Sequence, residues 1–197
     1  MSATITTKTG DAGMTGLLGP GRVAKEGPRI EALGAVDEAT SALGLARAWC
    51  DGPYVNEVIV QVQRDLYALM AELATTTQRP DAIHLRITPE HVAWLERTQE
   101  HILKRVMIPS QFILPGDTRS GATLDFARAT VRRAERAVSR LFHAGDDAIA
   151  EPLRYLNRLS DLLFVLARLA EADAGGSTPA RAPDHNAPPV GAKSPSS

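Results

Sequence analysis

Apolar residues recur at three- and four-residue intervals along most of this chain, and clusters of Pro, Gly and Asp separate the recurring stretches. Leu33, Val36, Leu43, Ala46 and Trp49 mark a helix from about Arg29 to Trp49, stopped by Asp51-Gly52-Pro53. Val55, Val58, Ile59, Val62, Leu66, Leu69, Met70 and Leu73 form the apolar stripe of a second, from about Val55 to Ala74. Residues 75–86 are polar and read as a connection. Thr88-Pro89-Glu90 supplies an N-cap with proline at the first helical position, so a third helix runs from there to about Lys104 or Val106. Leu124, Ala127, Val131, Ala134, Val138 and Leu141 define a fourth, with Ser120 as its candidate cap. Leu153, Leu156, Leu159, Leu163, Leu166 and Leu169 define a fifth, opened by Pro152 and ending near Ala174. No stretch alternates with period two, so no strand is expected. Helices joined by short connections predict an all-α fold, a five-helix up-and-down bundle over residues 29–174. A Gly- and Thr-rich arm, residues 1–28, precedes it. A tail of Gly, Ser, Pro and Ala, residues 175–197, follows and is expected to be disordered.

Composition narrows the class without changing this picture. A chain of 197 residues, 44% apolar and 23% charged, has the makings of one globular domain. Its net charge of -1 offers no overall field to gather nucleic acid, so any basic site must be local. Cys50 is the sole cysteine. It cannot form an internal disulfide or a thiolate metal site, and it reads as a small buried hydrophobe at a helix end. No apolar run reaches the roughly 18 residues of a membrane helix, and Met1 to Lys8 lacks a signal pattern, so a cytoplasmic protein is the simplest expectation.

Polar chemistry gathers in a few places. Arg128, Arg132, Arg136 and Arg140 lie four residues apart and share one face of the fourth helix. Like charges at that spacing repel by roughly 0.2–0.5 kcal/mol per pair on an exposed helix. Glu135 lies on another face and offsets only part of the charge. The row alone fits either a solvated basic face or an anion site. In the arm, Thr7-Lys8-Thr9-Gly10-Asp11-Ala12-Gly13-Met14-Thr15-Gly16 combines flexible glycines with hydroxyls and an ammonium that can meet phosphate oxygens. Neither Walker nor Rossmann spacing is present, so the arm alone fits a flexible extension as well as a phosphate loop. Asn157 and Asp161 share a face of the fifth helix within an apolar run, where each needs a partner, either an internal hydrogen bond or an arginine at an interface. Phe112, on a Pro/Gly-bounded loop, is a plug over the bundle end or a wedge facing a ligand. His84, His91 and His101 are not at metal-ligand spacing, and no metal site is expected.

Four blocks in this order resemble the PduO-type ATP:cob(I)alamin adenosyltransferases over roughly residues 4 to 172. They are Thr7 to Gly13; Arg22-Val23-Ala24-Lys25 leading to Ala35-Val36-Asp37-Glu38; Phe112 to Gly116 with Ala127-Arg128 to Arg136; and Tyr155 to Phe164. The resemblance implies transfer of the 5′-deoxyadenosyl group of ATP, with Mg2+, to the cobalt of cob(I)alamin, releasing triphosphate. It also implies a homotrimer with active sites between subunits, and a B12-dependent mutase is a candidate partner. Carried over by position, Thr7, Lys8, Thr9, Gly10, Thr15 and Gly16 would wrap the nucleotide and Lys25 would meet its phosphates. Arg132, Arg133, Glu135 and Arg136, led by Arg132, would form the triphosphate site, to which Asn157 contributes. Asp37 would pair with Arg128 across the subunit boundary, and Phe112 would face the lower side of the corrin. The chain departs from the family's usual residues at Pro20, Asp117 and Asp125, the last standing where a histidine is common; Asp117 and Asp125 are expected near the corrin. The competing expectation is a non-catalytic, ATP-gated cobalamin carrier.

Overall fold

The structure, a computed structural model, describes residues 6–75, 85–108 and 112–175. Five helices carry almost all of it: α1 (Pro28–Trp49), α2 (Pro53–Ala74), α3 (Pro89–Leu103), α4 (Arg119–His143) and α5 (Ala150–Asp173), with a short 3-10 turn, Asp147–Ile149, leading into α5. Proline opens α1, α2 and α3, where its missing N–H would have had no helical partner. His91 completes the start of α3 by accepting from the Thr88 backbone N–H at 3.1 Å. The cap of α4 is Thr118, whose Oγ1 accepts from Gly121 N–H at 3.0 Å, and not Ser120. Ser120 lies inside the helix, buried, with its hydroxyl directed at the Ala170 carbonyl 3.4 Å away.

The expectation of no strands is corrected in the arm. Strands β1 (Met14–Gly16) and β2 (Arg22–Ala24) form an antiparallel ribbon in which Met14 faces Ala24 and Thr15 faces Val23. Each has only three residues, too few for a period-two pattern to emerge from sequence. Gly21, at φ 95°, makes the turn between them. Leu18 donates its N–H to the Ala74 carbonyl at 2.7 Å, so the ribbon satisfies one of the open carbonyls at the end of α2 and is moored there.

In space the helices pack in the order α2, α1, α4, α5, α3. Helix α3 docks chiefly on α5, with little contact to α2 and α4, its neighbours in the chain, so the bundle is not a simple succession. The face of α1 is built from Ala32, Ala35, Ala39, Ala42 and Ala46, and α4 contributes Ala127, Ala134 and Ala137 to the same core. Small side chains on both helices permit close approach, and α1 against α4 is the largest contact in the bundle. Leucines dominate α5, which is buried around most of its circumference. Inside the core, Tyr155 donates to Asp65 Oδ2 at 2.9 Å and Gln61 donates to Asp65 Oδ1 at 2.8 Å, which ties α2 to α5. Burial, and then the Asp65 charge, push the Tyr155 phenol well above its ordinary range. Cys50 is buried at the end of α1, as its sequence position implies, and burial followed by the Asp51 charge pushes its thiol up to about 11. Most of the polar connection after α2 and nearly all of the expected tail lie outside the described residues. Among those described, no helix is long and apolar enough to cross a membrane.

Candidate active site

The arginines of α4 do not present one uniform charge, because their side chains are engaged differently. Arg128 is half-buried, with Nε 3.5 Å from a carboxylate oxygen of Asp125. Arg133 is paired with Glu38 of α1. Arg136 donates through Nη1 to the Arg132 carbonyl at 3.0 Å. The Arg132 guanidinium is exposed and has no hydrogen bond or ion pair among the described residues. Arg128 and Arg132 together line a cleft of about 370 Å³ between α3, α4 and α5, with Leu103, Asp161 and Phe164 among its walls.

Glu135 does not quench this charge. Its carboxylate accepts from Asn157 Nδ2 at 2.9 Å, Asn157 Oδ1 accepts from Arg158 at 2.8 Å, and Arg158 Nε donates to Glu96 at 2.9 Å. The relay crosses from α4 over α5 to α3 and answers the question of Asn157's partners with an internal hydrogen bond. Asp161 remains exposed on the cleft without a partner among the described residues. A lone cation beside a cleft gains two or more charge-assisted hydrogen bonds when a polyphosphate arrives, and here no existing pair must first be broken.

The arm is held by a device the sequence did not reveal. Arg22 on β2 donates through Nη2 to the carbonyls of Thr9 at 2.6 Å and Met14 at 2.7 Å, drawing the Lys8–Gly13 loop onto the ribbon. Lys25 N–H donates to Gly13 O at 2.9 Å, and the Lys25 amine lies so close to Gly10 that a Cβ there would sit 2.9 Å from it. Lys8 adopts φ 58°, a left-handed conformation uncommon for a residue with a side chain. Thr7 and Thr9 hydroxyls are 3.0 Å apart. Thr15, Gly16 and Lys25 rim a cavity of about 620 Å³ whose floor includes Ile30, Leu33 and Tyr67. Among the described residues no hydrogen bond or ion pair joins this arm to the arginine face.

Phe112, at the start of the loop that enters α4, is 87% exposed, so it is not a plug buried over the bundle end. The described histidines have structural partners: His91 at the start of α3, His101 against the Tyr54 ring at 5.7 Å, and His143 with Nδ1 2.8 Å from the Ser139 carbonyl; His84 lies outside the described residues. No group of three His, Cys, Asp or Glu side chains among the described residues is arranged to hold a metal.

The cobalamin adenosyltransferase family model matches residues 5–170. The chain belongs to that family. It is 39% identical over 171 residues to the corrinoid adenosyltransferase PduO of Citrobacter freundii, a match that takes in 86% of this chain and 50% of that protein. The chain thus spans about half the length of that relative. It is 38% identical over 173 residues to the corrinoid adenosyltransferase of Bacillus subtilis (86% and 87% covered). With the cobalamin adenosyltransferase of Cupriavidus metallidurans the identity is 41% over 175 residues (88% and 91% covered). Its fold is similar, at TM-score 0.84 and 28% identity over 92% of this chain and 100% of the other, to a phenylalanine-to-alanine variant of a PduO-type ATP:corrinoid adenosyltransferase from Lactobacillus reuteri complexed with cobalamin and ATP.

Within this family member the departure at Asp125 changes meaning. The side chain does not face the cleft: it is 5% exposed and bonded to Arg168 beneath Arg128. Asp117 is exposed on the loop into α4, and Pro20 is exposed in the ribbon turn.

Proposed function

We propose that this chain transfers the 5′-deoxyadenosyl group of ATP to cob(I)alamin, giving adenosylcobalamin and triphosphate. The observation that carries the reading is the unpartnered Arg132 guanidinium, which lines the cleft together with Arg128. Cobalt(I) attacks the 5′ carbon, a cobalt–carbon bond forms, and the carbon–oxygen bond breaks with its electron pair leaving on the triphosphate. The nucleophile needs no base, so the protein's tasks are alignment and stabilisation of the departing polyanion. Arg132 supplies the leading charge, Arg136 and Arg133 extend it, and the Glu135–Asn157 pair frames the nucleotide. Magnesium would arrive on the polyphosphate and neutralise part of its charge.

Thr7, Lys8, Thr9, Gly10, Thr15 and Gly16 would enclose the nucleotide, with Lys25 on its phosphates. The separation of arm and arginine row within one chain supports a site between subunits of a homotrimer, in which the arm of one copy closes over the row of the next. Asp37 is exposed and without a partner among the described residues, which suits a pair with Arg128 of another copy. Phe112 stands free to press against the lower corrin face and expel the axial ligand, which eases reduction of cobalt(II). A cytoplasmic setting with a B12-dependent mutase as recipient completes the reading.

Incubation with ATP, magnesium and chemically reduced cobalamin tests it. The appearance of cobalt–carbon absorbance with stoichiometric triphosphate is expected. Binding of both ligands with no such absorbance would identify an ATP-gated carrier instead.

A further inference from the structure

The core between α4 and α5 contains more negative charge than its own arginine needs. Arg168, 4% exposed, meets Glu171 through both Nε (2.7 Å) and Nη2 (2.8 Å), so Glu171 alone can balance it. Asp125 nonetheless accepts a further bond from Arg168 Nη2 at 2.6 Å, while its own side chain is almost fully buried. A second buried carboxylate with no cation of its own would be strongly destabilising. Among the described residues the other cation paired with Asp125 is Arg128, three residues on along α4, whose buried Nε lies 3.5 Å from Asp125 Oδ1 and has no hydrogen-bond partner. Arg128 therefore joins Arg168, Asp125 and Glu171 in one charged cluster, on which the nearby Asp117 charge also acts. The terminal nitrogens of Arg128 make no hydrogen bond among the described residues, and Arg128 lines the cleft.

We infer that Asp125 is a positioning residue: anchored from below by Arg168, it holds Arg128 by the Nε side so that the two terminal nitrogens point outward to the cleft and to a second copy. An arginine stem left loose would sample many rotamers, and each must be surrendered on binding; the anchor removes that requirement beforehand. The pairing links residues 43 apart in sequence on two helices, so it also couples the register of α4 against α5 to the aim of Arg128.

The inference rests on the proposed adenosyl transfer for its kinetic readout, and a double-mutant cycle on the corrinoid KM, measured with pre-reduced cobalamin and saturating ATP, tests it. Asp125→Asn and Arg128→Ala should each raise that KM about tenfold, and the double variant about tenfold again and not a hundredfold, because one residue acts through the other. The KM for ATP should stay within about twofold in the Asp125 variant, since uniform damage to the fold would move both constants. Multiplying effects, or equal losses on both substrates, would overturn the inference. Should Asp125→Asn fold poorly, Asp125→Glu keeps the buried charge on Arg168 while displacing the carboxylate by one methylene, and must show the same coupling. A second readout is independent of turnover: the Arg128 Nε–H proton, assigned by its loss in Arg128→Lys, should exchange slowly with solvent in the wild-type chain. Fast exchange there refutes the anchor even if the enzyme is active; slow exchange in a chain without adenosylation supports the anchor and rejects the proposed reaction.

Discussion

The arginine row and the N-terminal arm carry comparable polar chemistry but are held in place by different physics. On α4 each arginine's position is set by helix geometry and by the packing of apolar residues such as Val131, Ala134 and Val138 beneath the row. The arm owes its shape to a few hydrogen bonds at the surface: Arg22 onto two carbonyls, Lys25 onto Gly13, and Leu18 onto the end of α2. On the proposed reading the helix fixes the backbone from which an anion site is built. The arm offers one that can be displaced with modest energy, since surface hydrogen bonds contribute about 0.5–1.5 kcal/mol each. The proposed function divides the labour accordingly: chemistry on the rigid element, enclosure on the loose one.

The sharpest break of that division is Arg132→Ala. On the proposed function, removing a charge that meets the leaving group should lower kcat about 10²- to 10³-fold. The side chain is exposed and without a partner among the described residues, so thermal unfolding should move by no more than about 2 °C, which calorimetry on the purified variant would check. A large loss of stability with retained turnover would reverse the assignment of roles. Phe112→Ala comes next, because this residue also sits on a loop and yet is assigned to chemistry. Its loss should slow the reaction from cobalt(II) about tenfold, the equivalent of roughly 1.4 kcal/mol, while the reaction from pre-reduced cobalt(I) stays near wild type. Equal losses from both starting states would remove the wedge role.

Arg22→Ala probes the arm directly. Releasing the Thr9 and Met14 carbonyls should raise the KM for ATP about fivefold, near 1 kcal/mol, with kcat and thermal stability little altered. Steady-state kinetics at saturating corrinoid separate the two constants. A fall in kcat as large as that of Arg132→Ala would show that the arm, too, acts in the chemical step.

Legibility in sequence divides along the same line. The five helices were readable because their apolar stripes run over fifteen residues or more, long enough for a period to declare itself. The ribbon was not, since three residues cannot show alternation, and its chief latch was hidden because Arg22 binds backbone carbonyls that no residue type advertises. The arginine row was visible as a charge pattern. Which arginines of α4 are engaged was not, because that depends on Glu38 from α1, which pairs with Arg133, and on Asp125 held from α5, which meets Arg128, contacts set by how helices dock. Docking order was not legible either: α3 packs on α5 although α2 and α4 are nearer in the chain.

The finest test of the comparison lies between two glycines of the arm. At Gly10 a Cβ would press on the far end of the flexible Lys25 side chain, 2.9 Å from its amine, so Gly10→Ala should merely swing that amine aside. At Gly13 nothing lies within 4 Å, but φ is +75°, so Gly13→Ala strains the turn that receives the Lys25 N–H, by about 1 kcal/mol. The first change should raise the KM for ATP about twofold and leave arm protection against proteolysis unchanged, because only a terminal group moves and the ribbon's hydrogen bonds persist. The second should loosen the arm itself, with faster cleavage near residue 13 and an ATP KM raised about fivefold. If Gly10→Ala were the more damaging of the two, the ammonium's position would matter more than the loop's shape, and the arm would have to be regarded as a preorganised site in its own right.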